Sequence, residues 1–221
     1  MRPPRSGFVQ VAFSSVTPVG RRTGHGKGGE AKVLLAFPFH IYGDLSRRVG
    51  DTLGSIVPTV ETYSIDESFL DLGEFNSREV EALARTLRER VQRWVGIRTC
   101  VGIAPTKTLA KVANFIAKKR PQYRGVCDLR SNQVRAGLLP RVPVEEVWGI
   151  GGASAAKLGI QTAADRAALE PDDARALMTV TGGRTVLRAA RNLLPSDTEG
   201  NCPLRGALGI RSHPGRSCGR R

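Results

Sequence analysis

Residues 63–71 read Tyr-Ser-Ile-Asp-Glu-Ser-Phe-Leu-Asp, and no other string in this 221-residue chain limits the fold as tightly. Val60 to Ile65 is rich in β-branched and aromatic residues, Ser68 to Leu72 is again apolar, and Asp66-Glu67 lies between them. That pattern predicts two short strands joined by an acidic corner. Paired carboxylates between apolar strands are costly to desolvate unless a cation compensates them. Hard oxygen ligands favour Mg²⁺, which needs few carboxylates and lets substrate phosphates complete its shell. An ion held there polarises a phosphoryl group and stabilises an attacking oxygen. On spacing alone, a solvated acidic hairpin turn is the alternative.

The flanking sequence reads as an α+β unit. Ile41, Leu45, Val49, Leu53 and Ile56 recur every three or four residues, so 40–57 is an amphipathic helix stopped by Pro58. After Gly73, Ser77 is placed to cap a second helix with Val80, Leu83, Leu87, Val91 and Trp94 on one face. Thr99–Ile103 reads as a buried strand, 105–119 as a third helix with Leu109, Val112, Ala113 and Ile116 inward, and 125–129 as a last strand. The helices near 78–95 and 105–119 are expected on one face of the sheet, over a core that includes Ile65, Leu70, Leu83, Leu87, Val101, Ile103, Leu109, Val112 and Ile116. Beyond residue 130 the chain turns to short helical pieces: Ser131–Leu138, Val144–Trp148, Ala153–Leu158, Thr162–Leu169 and Pro171–Met178. The expected domains are a poorly ordered arm over 1–35, the α+β unit over 36–130, a small all-α unit over 131–183 and an Arg-rich, poorly ordered tail over 184–221.

Charge is informative only when it is located. The net charge is +14, but +5 of it lies in 1–35 and +6 in 184–221, both Gly/Pro/Arg-rich, leaving +3 for the middle. A local run says more: no acid occurs between Glu89 and Asp128, while Arg90, Arg93, Arg98, Lys107, Lys111, Lys118, Lys119, Arg120 and Arg124 do. A one-signed field of this kind suits a polyanion, with a solvated basic face as the alternative. Within it, Gly102 to Lys111 reads as a strand ending in glycine that leads into a helix N-terminus, a geometry able to offer amides to an anion. Val147-Trp148-Gly149-Ile150-Gly151-Gly152 followed by Ala155, Ala156 and Lys157 has the helix-hairpin-helix pattern, in which glycines let backbone amides approach a phosphate. Cys100, Cys127, Cys202 and Cys218 form no CxxC pair, which argues against a zinc ribbon or disulfide scaffold and fits a reducing cytoplasm. No apolar run approaches the ~18 residues of a membrane span.

These pieces stand in the order found in the Y-family translesion DNA polymerases, and their wording resembles the UmuC-like branch. The matching text is Tyr42 to Val49, Tyr63 to Asp71, Gly102 to Lys118 and Val147 to Gly151, within 39–180. The resemblance implies a polymerase palm followed by a helix-hairpin-helix thumb. It implies that Asp66 and Glu67 help bind catalytic Mg²⁺ and that Lys118 contacts the nucleotide triphosphate. The hairpin at Gly149 and Gly151 would grip duplex phosphates, with Lys107, Lys111 and Lys157 as further DNA contacts. The family opens with a strand carrying another metal-binding Asp, then a fingers region, and ends in a little finger; none of these is read here, where the sole acid before Asp44 is Glu30. The expectation is half a palm plus a thumb. Its activity by resemblance is error-prone, Mg²⁺-dependent nucleotidyl transfer onto a DNA primer in repair and the SOS response, impaired in this chain. The implied partners are primer-template DNA, dNTP and replication or SOS accessory proteins, in the cytoplasm and without a membrane. The competing expectation is a non-catalytic DNA-binding remnant that uses the hairpin and the basic face.

Overall fold

Alternation is the signal that matters in Phe8-Val9-Gln10-Val11-Ala12-Phe13: Val9, Val11 and Phe13 are buried on one side of an extended segment. In a computed structural model, which describes residues 7–13, 39–72, 75–76, 78–149 and 152–168, this segment is strand β1 (Phe8–Phe13). It is the middle strand of a five-stranded sheet. Strand β2 (Val60–Thr62) pairs antiparallel with β3 (Glu67–Asp71), β3 with β1, and β1 with β4 (Thr99–Ala104), while β5 (Val126–Asp128) lies parallel to β4. The order is β2-β3-β1-β4-β5. Residues 8–13 thus depart from the expectation of a poorly ordered arm across 1–35, and the position expected to lack a strand is filled. Their apolar alternation matches two exposed strand flanks, and pairing on both sides satisfies their backbone groups.

The α+β class holds, but helices cover both faces, not one. Helices α1 (Phe39–Gly54) and α2 (Val80–Val95) lie on the face that carries Val9, Val11, Leu70, Leu72, Val101, Ile103 and Val126. Helix α3 (Lys107–Lys119) lies on the other face, with Phe69, Cys100, Ala104 and Cys127. Strand β4 explains this: all six of its residues are buried, so both of its faces need cover. Gly102 faces α3, and a Cβ there would sit 2.1 Å from the Ala110 carbonyl oxygen and 2.4 Å from the Asn114 amide nitrogen. This glycine lies inside the strand rather than at its end, and its lack of a side chain permits the close approach of the helix. The N-terminus of α3 is capped internally: the Thr106 side chain accepts from the Leu109 amide at 3.3 Å.

Of the expected core, Leu70, Leu87, Val101, Ile103, Leu109, Val112 and Ile116 are buried, and Leu83 is partly buried. Ile65 is not: it is 45% exposed, because it lies in the turn between β2 and β3 rather than in a strand. Helix α2 starts after Glu79, and Ser77 lies outside the described residues. Beyond β5 come α4 (Asn132–Leu138), 3-10 turns at Leu139–Arg141 and Val144–Glu146, α5 (Gly152–Leu158) and α6 (Ala163–Ala168). Leu138, Leu139, Val142, Val147, Ala163, Ala164 and Ala167 from this region join the core on the α3 side. Pro171–Met178 and the tail over 184–221 lie outside the described residues. Among the described residues, no helix is long and apolar enough to cross a membrane.

Candidate active site and nucleic-acid interface

The acidic corner is a four-residue turn, 63–66, pinned from two sides. The amides of Tyr63 and Ser64 donate to the Glu67 carbonyl at 3.0 and 3.1 Å, and the Phe13 amide donates to the Asp66 carbonyl at 3.2 Å. Asp66 is exposed in this turn and accepts a 2.6 Å hydrogen bond from the Ser64 hydroxyl. Glu67 is the first residue of β3. Its Cα pairs with Ala12, which pairs in turn with Cys100, so the three lie in one row across the sheet on the α3 side. Two hard carboxylates therefore stand at a strand terminus, as the sequence predicts. Among the described residues, no three or more His, Cys, Asp and Glu side chains come together as a metal cluster.

Helix α3 lies over this row and brings its lysines with it. Lys111 Nζ is 2.9 Å from Glu67 Oε2, with both side chains about four-fifths buried (20% and 22% exposed). One turn earlier, Lys107 is ion-paired with Glu61 and lies 5.3 Å from the Phe69 ring centroid. Lys118 is exposed near the end of the same helix; burial pushes the Cys100 thiol up, against smaller downward pulls from the charges of Arg88 and then Lys118. Lys107 and Lys111, expected as DNA contacts, thus have acidic partners in the chain, whereas Lys118 keeps its exposed position.

An aromatic group that sequence reading missed closes the corner. Tyr63 lies edge-on to Phe69 at 5.8 Å and to Trp148 at 5.1 Å, while Phe69 and Trp148 stack at 15° with centroids 6.4 Å apart. The Lys111 ammonium lies 4.9 Å from the Tyr63 ring centroid and 4.8 Å from that of Trp148. The aromatic residues were visible in the sequence; the contact between positions 63 and 148 was not. Trp148 carries the hairpin segment to the sheet, and Gly149 follows it with φ +89°, a left-handed conformation that suits glycine. Lys157 is exposed on α5, and Gly151 lies outside the described residues.

Residues 30–114, which hold the corner and most of α3, match the model of the impB/mucB/samB family. The UmuC protein of Salmonella typhimurium is 46% identical over 138 residues, which cover 60% of this chain and 33% of UmuC. Among solved structures, DinB from Sulfolobus solfataricus superposes with a TM-score of 0.57 at 27% identity, over 70% of this chain and 46% of that one. An insertion ternary complex of Dbh DNA polymerase gives 0.57 at 26%, over 73% and 47%. The chain is thus similar to UmuC in sequence and to these polymerases in fold, and it spans about a third of the curated relative it matches at 46% identity. The impB/mucB/samB match begins after β1: the central strand of the sheet is built from residues the family model does not cover.

Proposed function

We propose that this chain carries the acidic palm corner and the DNA-gripping hairpin of an error-prone translesion DNA polymerase, which serves DNA repair by nucleotidyl transfer onto a primer. One observation supports this best: Asp66 and Glu67 stand at the head of β3, beside a lysine-bearing helix, inside the segment that matches the impB/mucB/samB family. In this reading Asp66 and Glu67 hold Mg²⁺, Lys118 takes the triphosphate, and Gly149, Gly151 and Lys157 hold duplex phosphates. Primer-template DNA and dNTP are the ligands, accessory replication proteins the partners, and the cytoplasm the location.

The donor set suits one hard ion whose remaining positions go to water and phosphate, because Mg²⁺ uses few carboxylates. When bound, such an ion supplies charge stabilisation to the phosphoryl group in transfer. Asp66 and Glu67 provide two carboxylates at adjacent positions, and the Ser64 hydroxyl orients Asp66. Ala12 occupies the neighbouring position in the row of Glu67, where a third carboxylate would complete an opposed cluster. With alanine there, the cation is held loosely and catalysis by these residues alone is weak.

The test pairs binding with extension. Fluorescence anisotropy with a primer-template should give sequence-independent binding that falls steeply with salt, because phosphate contacts release counterions. Primer extension with Mg²⁺ and dNTP should stay near the Asp66→Ala, Glu67→Ala background, and Ala12→Asp should raise it. Binding that ignores salt or is absent overturns the reading. Strong extension by the unaltered chain, abolished by the double substitution, overturns the impairment and keeps the polymerase.

A further inference from the structure

The ion pair of Glu67 has a feature that a simple surface salt bridge lacks: its lysine has two docking places. Lys111 Nζ reaches Glu67 Oε2 at 2.9 Å while it lies within 5 Å of the ring centroids of both Tyr63 and Trp148. Ring faces attract ammonium groups, the more so where water is excluded. With both partners about four-fifths buried, the pair is also less screened than exposed pairs. The Glu67 carboxylate of the corner therefore already has a compensating cation supplied by the chain.

We propose that Lys111 is the built-in counter-cation of the acidic corner and sets its threshold for divalent ions. A divalent ion gains Glu67 only by displacing the ammonium, which the faces of Tyr63 and Trp148 then retain. Lys111 is thus a specificity-determining residue: it keeps weakly charged cations off Glu67 and admits only an ion whose charge outcompetes its own. The inference rests on the metal reading of Asp66 and Glu67 given above.

Terbium(III) titration tests this without reference to catalysis, since Tyr63 and Trp148 lie close enough to Glu67 to sensitise the luminescence of an ion bound there. At low salt, Lys111→Met should tighten Tb³⁺ about tenfold, the loss of one partly buried neighbouring charge. Lys111→Arg should stay within about twofold of the unaltered chain, because it retains the charge. Lys119→Met removes a lysine of the same helix that lies 6.0 Å from the Phe115 ring, and it should shift Tb³⁺ affinity less than about twofold. Lys111→Gln serves as the second variant if Lys111→Met does not fold, with far-UV circular dichroism and melting as the criterion. Competition by Mg²⁺ should show the same ranking. The proposal is overturned if Lys111→Met and Lys111→Gln bind no tighter, or if Lys119→Met gains as much, which would indicate bulk charge alone. The metal reading fails separately: Glu67→Gln and Asp66→Asn would then leave Tb³⁺ binding unchanged in every background.

Discussion

Asn114 donates from Nδ2 to the backbone carbonyl of Gln10 at 3.2 Å, a bond between residues 104 positions apart. The same amide donates to the Cys100 carbonyl at 2.7 Å, so one buried side chain of α3 ties the helix to β1 and β4 together. Asn114→Leu removes both donors without changing the volume greatly. Loss of hydrogen bonds to buried groups costs about 1–3 kcal/mol. Urea unfolding should show a fall of that size; an unchanged midpoint would mean that the amide contributes nothing to holding β1.

The central position of β1 can be tested at Val11, which is buried between Ser68 and Val101 in the sheet register. Val11→Asp places an unpaired carboxylate in the core, where the cost is several kcal/mol. The variant should lose cooperative unfolding. Native-like melting would show that residues 8–13 are not the middle of the sheet.

Most elements after residue 39 were legible because their periodicity is clean. Helix α2 buries Val80, Ala84, Leu87 and Val91, a 3.6-residue stripe, and β4 is an unbroken apolar run. β1 was harder to see: its alternation lasts six residues, and the Gly-, Pro- and Arg-rich sequence around it suggests no core. The family resemblance deepened that difficulty, since it calls for an acidic strand and Phe8–Phe13 contains no acid. Placement of helices on two faces follows from the burial of both faces of β4, which an apolar run shows only once its neighbours are known. At the site, Asp66 and Glu67 were legible from local sequence. The bracket of Tyr63, Phe69 and Trp148 was not, because it joins residues more than 75 positions apart, and Lys111 looked free for DNA until the fold brought Glu67 to it.

Gly102 offers a packing test. A methyl group there meets the backbone of α3 at 2.1 Å, so the helix must move outward. Gly102→Ala should cost about 1–3 kcal/mol and Gly102→Val more, as overpacking does. The thermal midpoint should fall in that order. A variant as stable as the unaltered chain would show that α3 does not lie on this strand so closely.

Cys127 provides a test by pH. Burial, reinforced by Asp128, pushes its thiol from 9.0 up to about 12. The folded chain therefore holds a proton between pH 9 and 12 that the unfolded chain releases, so this thiol costs stability progressively as pH rises through that window. Cys127→Ala should lose less stability than the unaltered chain between pH 8 and 10.5, measured by urea unfolding at each pH. In the native state at pH 8, iodoacetamide should leave Cys127 unmodified, since its thiolate is scarce and buried. Rapid native labelling of Cys127 would contradict both statements.

The place of β1 also sets a schedule for biosynthesis. Phe8–Phe13 leaves the ribosome before either neighbour: β3 begins at Glu67 and β4 at Thr99. At ~5–20 residues per second, the first strand waits roughly 4–17 s for its second partner to be made. Until Glu67–Asp71 is made both hydrogen-bonding edges of this apolar, alternating segment lack their partners, and until Thr99–Ala104 is made one edge still does, open to any passing strand. Once Thr99–Ala104 emerges, the second edge is filled across a long loop, and the sheet assembles around the strand that was made first.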